Sequence, residues 1–343
     1  MFDELSIGVI GLGIWGANHP LVYDDYHRSK VTVVCDLDEI KSKKIAEKFK
    51  CDWTTDYEEV INSDVAAVSV ATPDFAHFDP VSKLLLKNKH VFVEKPLTTN
   101  LNEAKELCRL AEKSSSIVMV DFHNRWNPQW GLVKGAIDSG EIGQASMGYI
   151  RLSNSIEVAE SWLSWAGNSG PQWFLLTHIM DLMNWLLDEI PITLFALGKE
   201  GHLRSKGIDT WDSLQVLVEY PSTNVCFETS WIVPNSIPSV IDSQFTLYGD
   251  KGKIDFDFDF AGLSFATNSK ISFPFFPLGQ RDRWGKLSHF MYAPMRYFVD
   301  CVLDGITPMC SFEESLVNVA MVQASLDSIA TKSPVALKPL LSH

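Results

Sequence analysis

Three glycines stand at the spacing G-x-G-x-x-G, at Gly11, Gly13 and Gly16, directly after an apolar run over residues 5–10. A buried strand, a tight turn and the start of a helix suit the pyrophosphate of a dinucleotide, because the helix N-terminus offers N–H groups to the anion. The first glycine permits the turn, the second lets the backbone approach the phosphates, and the third lets helix and strand pack closely. The predicted phosphate-binding loop consists of Gly11, Gly13, Ile14, Trp15 and Gly16.

An acidic residue, Asp36, ends the next apolar run, twenty residues after the last of these glycines. At this spacing a carboxylate accepts hydrogen bonds from the ribose hydroxyls of a bound dinucleotide and repels a 2′-phosphate. Leu37 and Asp38 follow it, so no arginine is at hand to receive a phosphate. The pattern favours NAD, and the lysines of the following segment keep NADP as the less favoured alternative.

Lys95 follows a short apolar run at residues 90–93, where the sequence reads Glu94-Lys95-Pro96. Hydride transfer from a carbinol carbon requires a side chain that accepts the hydroxyl proton. A partly buried lysine has a lowered pKa and can fill this role. Because lysine is mostly exposed in proteins, a solvated strand-end lysine is the alternative interpretation.

His178 is the second candidate for proton transfer. It lies three residues before Asp181 in a predicted helix over residues 173–187, so both side chains share one helical face. Histidine is the most frequent general acid or base, but a histidine in an apolar helix is also a common core residue. The other histidines and the cysteines show no ligand spacing, and we predict no metal site.

The segments that must position these residues are of two kinds. Strands and helices alternate in about the first 120 residues, which is typical of a doubly wound parallel sheet of the Rossmann type. After Phe122 strand-like segments follow one another with few helices between them, which predicts a large, open and mostly antiparallel sheet. The predicted strands of this second sheet cover residues 145–152, 192–198, 210–220, 223–232, 244–248 and 253–258.

The predicted fold is therefore α/β, with a dinucleotide-binding domain over residues 1–122 and an α+β domain over residues 123–343. A helical tail is expected from His289 to about Ala330, and it is a candidate to pack back on the first domain. Within this tail, Ser311 followed by Glu314 has the spacing of a helix-capping pair.

Composition restricts the class of protein. The 343 residues are 46% hydrophobic and carry a net charge of −14, which argues against a nucleic-acid or anionic-membrane partner. No apolar run approaches the roughly 18 residues of a membrane span. Because the six cysteines form no C-x-x-C pair and the N-terminus is acidic, we expect a cytoplasmic protein without disulfides or a signal peptide.

Several segments, in order along nearly the whole chain, resemble those of the glucose–fructose oxidoreductase/inositol dehydrogenase/MocA family. The most specific is residues 87–100, KNKHVFVEKPLTTN, which contains the E-K-P motif of that family. The other matching segments are residues 72–77, 122–128 and 245–252. The resemblance implies reversible oxidation of a secondary hydroxyl on a sugar, inositol or related polyol. It also implies a homodimer or homotetramer formed through the C-terminal sheet.

The resemblance assigns roles to individual residues as well. It implies that Lys95 lies beside the nicotinamide and the substrate, and it matches His178 to the catalytic histidine of the family. The predicted cofactor contacts beyond the glycine loop are Asp36, Thr72, Pro73, His77, Glu94 and Lys95. The predicted substrate contacts are Arg125, Trp126, Trp173 and Asp181.

The chain departs from the family pattern at Phe174. Many sugar and inositol dehydrogenases of the family carry an aspartate there, four residues before the histidine, and an apolar ring cannot accept a substrate hydroxyl. The departure leaves open both the substrate and the division of acid–base work between Lys95 and His178. The leading prediction is an NAD-dependent dehydrogenase or reductase. The alternatives are an NAD-assisted glycosidase that retains its cofactor and a non-catalytic sensor of dinucleotide or sugar.

Overall fold

Six short apolar strands in the first part of the chain pair in parallel, in the order β3-β2-β1-β4-β5-β6. They are β1 (Leu5–Ile10), β2 (Ser29–Cys35), β3 (Asp52–Thr54), β4 (Ala67–Val70), β5 (His90–Val93) and β6 (Val118–Val120). This order reverses direction at β1 and β4, and doubly wound sheets bind ligands beyond the carboxyl ends of the strands at such a point. The predicted Rossmann sheet is confirmed. The structure is a computed structural model that describes residues 4–237, 239–257, 265–266, 271–272 and 285–342.

Five helices connect these strands, and side-chain caps fix where three of them begin. They are α1 (Asn18–Asp25), α2 (Glu39–Phe49), α3 (Tyr57–Asn62), α4 (Phe78–Leu86) and α5 (Leu101–Lys113). The Asp38, Asp56 and Asn100 side chains accept backbone N–H groups at the starts of α2, α3 and α5, respectively. The first helix begins only at Asn18, because turns occupy residues 14–17.

The second sheet has seven strands in the order β12-β11-β7-β10-β9-β8-β15. Its strands are β7 (Ala145–Asn154), β8 (Thr193–Lys199), β9 (Ser213–Glu219), β10 (Asn224–Ser230), β11 (Ile241–Gly249), β12 (Lys253–Asp257) and β15 (Val335–Ala336). Only the β7–β10 pair in this sheet is parallel, which confirms the mostly antiparallel prediction. Residue 258, the predicted end of β12, lies outside the described residues. A separate two-stranded sheet consists of β13 (Phe265–Ala266) and β14 (Ile271–Ser272).

The remaining helices belong to the later part of the chain. They are α6 (Pro128–Asp138), α7 (Thr177–Leu187), α8 (His202–Ser205), α9 (Ala293–Asp304), α10 (Phe312–Thr331) and α11 (Lys338–Leu341). The capping pair at the start of α10 is formed: Glu314 N donates to Ser311 Oγ at 3.2 Å, and Ser311 N donates to Glu314 Oε2 at 2.9 Å. Among the residues described, no helix is both long and apolar enough to cross a membrane.

The chain divides into two units, Met1–Asn127 with Leu278–Val319 and Pro128–Pro277 with Ala320–His343. The assignment of cofactor binding to residues 1–122 and of substrate binding to residues 123–343 stays a prediction.

Candidate active site

The glycine loop leaves β1 in a conformation that only glycine adopts without strain. Gly11 has a φ of +93°, and a Cβ at this position would lie 2.4 Å from the Ala71 carbonyl oxygen. At Gly16 a Cβ would lie 2.3 Å from the Gly11 carbonyl oxygen. Both glycines therefore allow close backbone packing between the loop, the start of α1 and the end of β4.

Gly13 is different, because no described residue other than its chain neighbours lies within 4 Å of a Cβ built there. The position is exposed, and the neighbouring Ile14 side chain is 60% exposed. The loop thus has a tightly packed inner side and an open outer side. An open glycine at the N-terminus of a helix is the cradle that a pyrophosphate requires.

Asp36 lies at the end of β2 and is bonded to the glycine loop. Leu12 N donates to Asp36 Oδ2 at 2.7 Å, and Asp38 N donates to Oδ1 at 2.9 Å. These bonds fix the carboxylate beside the loop, where it can accept hydrogen bonds from a ribose. The Lys41 ammonium lies 3.5 Å from Oδ1, so a cation accompanies the carboxylate.

Replacing Asp36 with Ala should weaken NADH binding by about tenfold, because a charged acceptor for the ribose hydroxyls is lost. It should weaken NADPH binding much less, because the repulsion of a 2′-phosphate is also lost and Lys41 is released from its partner. Titration of both cofactors, followed by nicotinamide fluorescence, measures the ratio of the NADH and NADPH dissociation constants. The control is Glu39→Gln, which removes an exposed charge from α2 and should leave this ratio unchanged. An unaltered ratio in Asp36→Ala would exclude Asp36 from the ribose site.

The loop after β4 carries Thr72, Pro73 and His77. His77 is buried, with Nδ1 2.8 Å from the Pro96 carbonyl oxygen and Nε2 3.0 Å from the Thr72 carbonyl oxygen. The imidazole therefore links the loop after β4 to the loop after β5. Its position is one that orients the two loops, and its assignment as a direct cofactor contact stays a prediction.

Lys95 is buried at the carboxyl end of β5, at the same edge of the sheet as the glycine loop. Burial lowers the pKa of its amine, and a negative charge on the nearby Glu94, Asp74 or Asp121 carboxyl group raises it. A lysine in this state gives up its proton more readily than a solvated lysine does. The solvated alternative considered from the sequence does not describe this side chain.

Glu94, next to Lys95 in the chain, is bonded to the glycine loop. The Trp15 indole Nε1 donates to Glu94 Oε1 at 2.8 Å, and His19 Nε2 lies 3.2 Å from the same oxygen. The Trp15 ring also stacks on Tyr292, with ring centroids 6.0 Å apart. These contacts hold the side chain of a loop residue against the end of β5.

His19 and Asp121 also belong to this buried cluster, and neither was predicted from the sequence. His19 is a buried residue of α1 whose other ring nitrogen, Nδ1, lies 2.7 Å from Ser69 Oγ. Asp121 is fully buried immediately after β6. No spacing along the chain links either residue to Glu94. Only the register of β5 and β6 would have indicated that Asp121 lies beside Glu94.

Two predicted substrate contacts lie in the segment after β6. Arg125 is buried, and its Nη1 lies 2.7 Å from Glu314 Oε1. The Trp126 ring contacts the Tyr297 ring, with centroids 5.6 Å apart. The structure gives both residues protein partners, and their contact with substrate stays a prediction.

The second unit holds the other acid–base candidate. His178 and Asp181 are buried residues of α7, and Trp173 is buried in the π-helical turn Gln172–Leu176 that precedes it. Phe174, in the same turn, packs on the Trp165 and Trp231 rings at centroid distances of 6.1 and 5.6 Å. The residue that replaces the family aspartate is thus part of an apolar cluster.

The strand order, the glycine loop and Asp36 together define a dinucleotide-binding Rossmann fold. Residues 5–122 match the model of the oxidoreductase family with an NAD-binding Rossmann fold named GFO_IDH_MocA, and residues 130–255 match the GFO/IDH/MocA C-terminal domain. The chain belongs to this family of oxidoreductases, and NAD is its cofactor.

Two named relatives are similar to part of the chain. Inositol 2-dehydrogenase of Salmonella paratyphi B is 30% identical over 54% of this chain and 55% of that protein. The 2,7-anhydro-N-acetylneuraminate hydratase of Escherichia coli is 27% identical over 64% of this chain and 59% of its own length. The chain thus spans little more than half the length of these curated relatives.

A solved structure shares the fold over nearly the whole length. The scyllo-inositol dehydrogenase of Lactobacillus casei, solved with bound NAD(H) and scyllo-inositol, superposes with a TM-score of 0.83. The match covers 98% of this chain and 100% of that one, at 15% identity. At this identity the similarity establishes the fold alone.

Proposed function

We propose that the protein is an NAD-dependent dehydrogenase or reductase that moves a hydride between nicotinamide and a secondary hydroxyl or ketone of a sugar, inositol or related polyol. The observation that carries the proposal is the buried Lys95 amine, with its lowered pKa, at the cofactor edge of the six-stranded sheet. The inositol substrates named for the relatives support the substrate class.

The residues of the chain have separate tasks in this reaction. The open side of Gly13 and the N–H groups that follow it bind the pyrophosphate, and Asp36 binds the ribose. Bound NAD supplies the hydride acceptor. Lys95 accepts the hydroxyl proton as the carbinol is oxidised and returns it in the reverse reaction, with His178 assisting.

A redox-neutral reaction is the second candidate. A relative of this chain is named a hydratase, and hydration consumes no net reducing equivalents. An NAD-assisted glycosidase would likewise retain and recycle its cofactor. A non-catalytic sensor is the third candidate, and it does not explain a buried lysine with a lowered pKa.

A panel of cyclic polyols, aldoses and ketoses, each tested with NAD and with NADP, distinguishes these candidates. We expect one class of polyol to generate reduced nicotinamide and ketone in equal amounts, with NAD preferred. Product formed without reduced nicotinamide would identify the redox-neutral candidate. Cofactor binding without turnover of any compound would identify the sensor.

The open face of the second sheet supports the proposed homodimer or homotetramer. Along β9 the residues alternate between a buried face and an exposed face. The strand register places four exposed apolar side chains on the second face: Met147, Leu197, Leu217 and Tyr248. An apolar patch of this kind on a soluble domain marks a protein interface.

Leu217→Lys should shift the protein toward the monomer, because Leu217 belongs to this patch and is 55% exposed in the single chain. Sedimentation velocity measures the change. The control is Leu132→Lys on α6, an equally conspicuous exposed leucine away from the patch, which should leave the assembly unchanged. A wild-type monomer, or an assembly that survives Leu217→Lys, would contradict this interface.

A further inference from the structure

Two carboxyl groups lie side by side at the ends of β5 and β6. The parallel register pairs Val93 with Val120, and Asp121 N donates to the Val93 carbonyl at 2.9 Å. Glu94 and Asp121 therefore occupy equivalent positions on neighbouring strands, and both are buried. Two adjacent carboxyl groups in a dry interior cannot both ionise at neutral pH.

The hydrogen-bond donors around this pair are divided unequally. Glu94 Oε1 accepts a bond from Trp15 Nε1 at 2.8 Å and lies 3.2 Å from His19 Nε2. Among the described residues, no N–H group donates to either oxygen of Asp121, and the His123 Nδ1 is 3.8 Å from its Oδ2. A buried carboxylate without donors bears the whole cost of desolvation. The donors therefore favour a negative charge on Glu94 and a proton on Asp121.

The pKa values of the two groups agree with this division of the donors, because the pKa of Glu94 is lowered and that of Asp121 is raised. Burial, followed by the charge and hydrogen bond of Glu94, raises the pKa of Asp121 well above its ordinary value. Burial raises the pKa of Glu94 as well, but its neighbours lower that pKa to about 2. The neighbours act through the hydrogen bond and charge of His19, the hydrogen bond of Asp121 and the charge of Lys95. This divergence is typical of two carboxyl groups that share one proton.

The charge of this pair acts on Lys95. Burial lowers the pKa of the Lys95 amine, and each negative charge nearby raises it. With Asp121 neutral, the pair contributes one negative charge beside the amine. With Asp121 ionised, it would contribute two, and the amine would hold its proton more tightly.

We propose that Asp121 is a positioning residue that stays protonated at neutral pH, donates its O–H to Glu94 and limits the negative charge beside Lys95. The consequence for Lys95 rests on the proposed function, whereas the protonation state of Asp121 does not. Among the residues that the structure describes, the other ionisable groups that interact with the pair are His19, Tyr23, Lys95 and His123. The Asp74 carboxyl group acts on Lys95.

Infrared difference spectroscopy of wild type against Asp121→Asn tests the proton directly and needs no substrate. We expect the wild type at neutral pH to show the carbonyl stretch of a protonated carboxylic acid that is absent from the variant. A difference confined to carboxylate stretches would overturn the proposal. Should the variant fail to fold, carbon NMR of wild type labelled at aspartate carboxyl carbons replaces it, and one carboxyl should keep the shift of the protonated acid at neutral pH.

The pH profile of oxidation then tests the effect on Lys95. Asparagine is neutral like the protonated acid, so the acid limb of the profile should keep its position in Asp121→Asn, whatever the size of kcat. If Asp121 were ionised, its removal would move that limb to lower pH by roughly one unit or more. A chain that oxidises no polyol would contradict the proposed function and leave the infrared result as the test of Asp121.

Discussion

Replacing Lys95 with Met should lower turnover by about 10²–10⁴-fold, the usual contribution of a general acid–base group. Methionine fills a similar volume without an amine, so the buried site should keep its packing. Affinity for NAD should stay nearly unchanged, because the phosphate and ribose contacts come from the glycine loop and Asp36. Steady-state kinetics with the best substrate of the panel, together with cofactor titration, separates the two quantities.

Lys89 offers a matched control at the opposite end of the same strand. Its Nζ donates to the Ser63 and Val65 carbonyls at 2.7 Å each, and burial lowers the pKa of its amine too. Lys89→Met should therefore cost stability but leave turnover nearly normal. Near-normal turnover in Lys95→Met would remove Lys95 from the mechanism.

The pH dependence follows from the direction of the Lys95 pKa. The oxidation reaction needs the neutral amine, so its rate should fall as the pH drops below the pKa of Lys95. Because burial lowers that pKa, the fall should occur at lower pH than a solvated lysine would give. The limb should be absent from the residual activity of Lys95→Met.

Substitutions at two glycines of the same loop should fail in different ways. A methyl at Gly11 meets the Ala71 carbonyl oxygen at 2.4 Å, at a φ of +93° that alanine rarely adopts. Gly11→Ala should therefore lower the free energy of unfolding by about 1–3 kcal/mol or more and abolish NAD binding. Gly13→Ala meets no described residue and should unfold at nearly the wild-type temperature. Its affinity for NAD should nevertheless fall at least roughly tenfold, because the methyl occupies the space of the pyrophosphate.

Gly135→Ala is the control for this pair of variants. Gly135 lies in α6, and a Cβ there likewise meets no described residue. Alanine favours the helix, so this variant should be at least as stable as wild type and bind NAD normally. Normal NAD affinity in Gly13→Ala would show that the open side of the loop is not the phosphate site.

The sequence predicted the architecture well, because the architecture follows from local patterns. Continuous apolar runs alternating with helices indicated the Rossmann sheet, and Ser311 with Glu314 marked the start of α10. The short strand β3 escaped prediction because it has three residues, of which two are exposed. The parallel β7–β10 pair could not be foreseen, because register between distant segments leaves no local signal.

The candidate site was predicted only in part, because some of its residues lie in local motifs and others come together only in the folded chain. Gly11, Asp36 and Lys95 lie in motifs that can be recognised along the chain, and the structure places all three at one edge of one sheet. His19 and Asp121 lie beside Glu94 only through tertiary contacts, so their neighbours in the sequence could not predict their place in the site.

Phe174 illustrates a limit of a different kind. The family pattern described it as a missing polar contact, which treats the position as part of an open site. In the structure its ring packs between Trp165 and Trp231, so the side chain contributes to an apolar cluster. The consequence of the lost aspartate for substrate choice stays a prediction.

The most direct test follows a single hydrogen atom. The best polyol of the panel is labelled with deuterium at the carbinol carbon and oxidised in the presence of NAD. We expect the deuterium at C4 of the nicotinamide of the NADH that is released, one atom for each ketone formed. Ketone or other product formed while the released cofactor carries no deuterium would contradict the proposed hydride transfer.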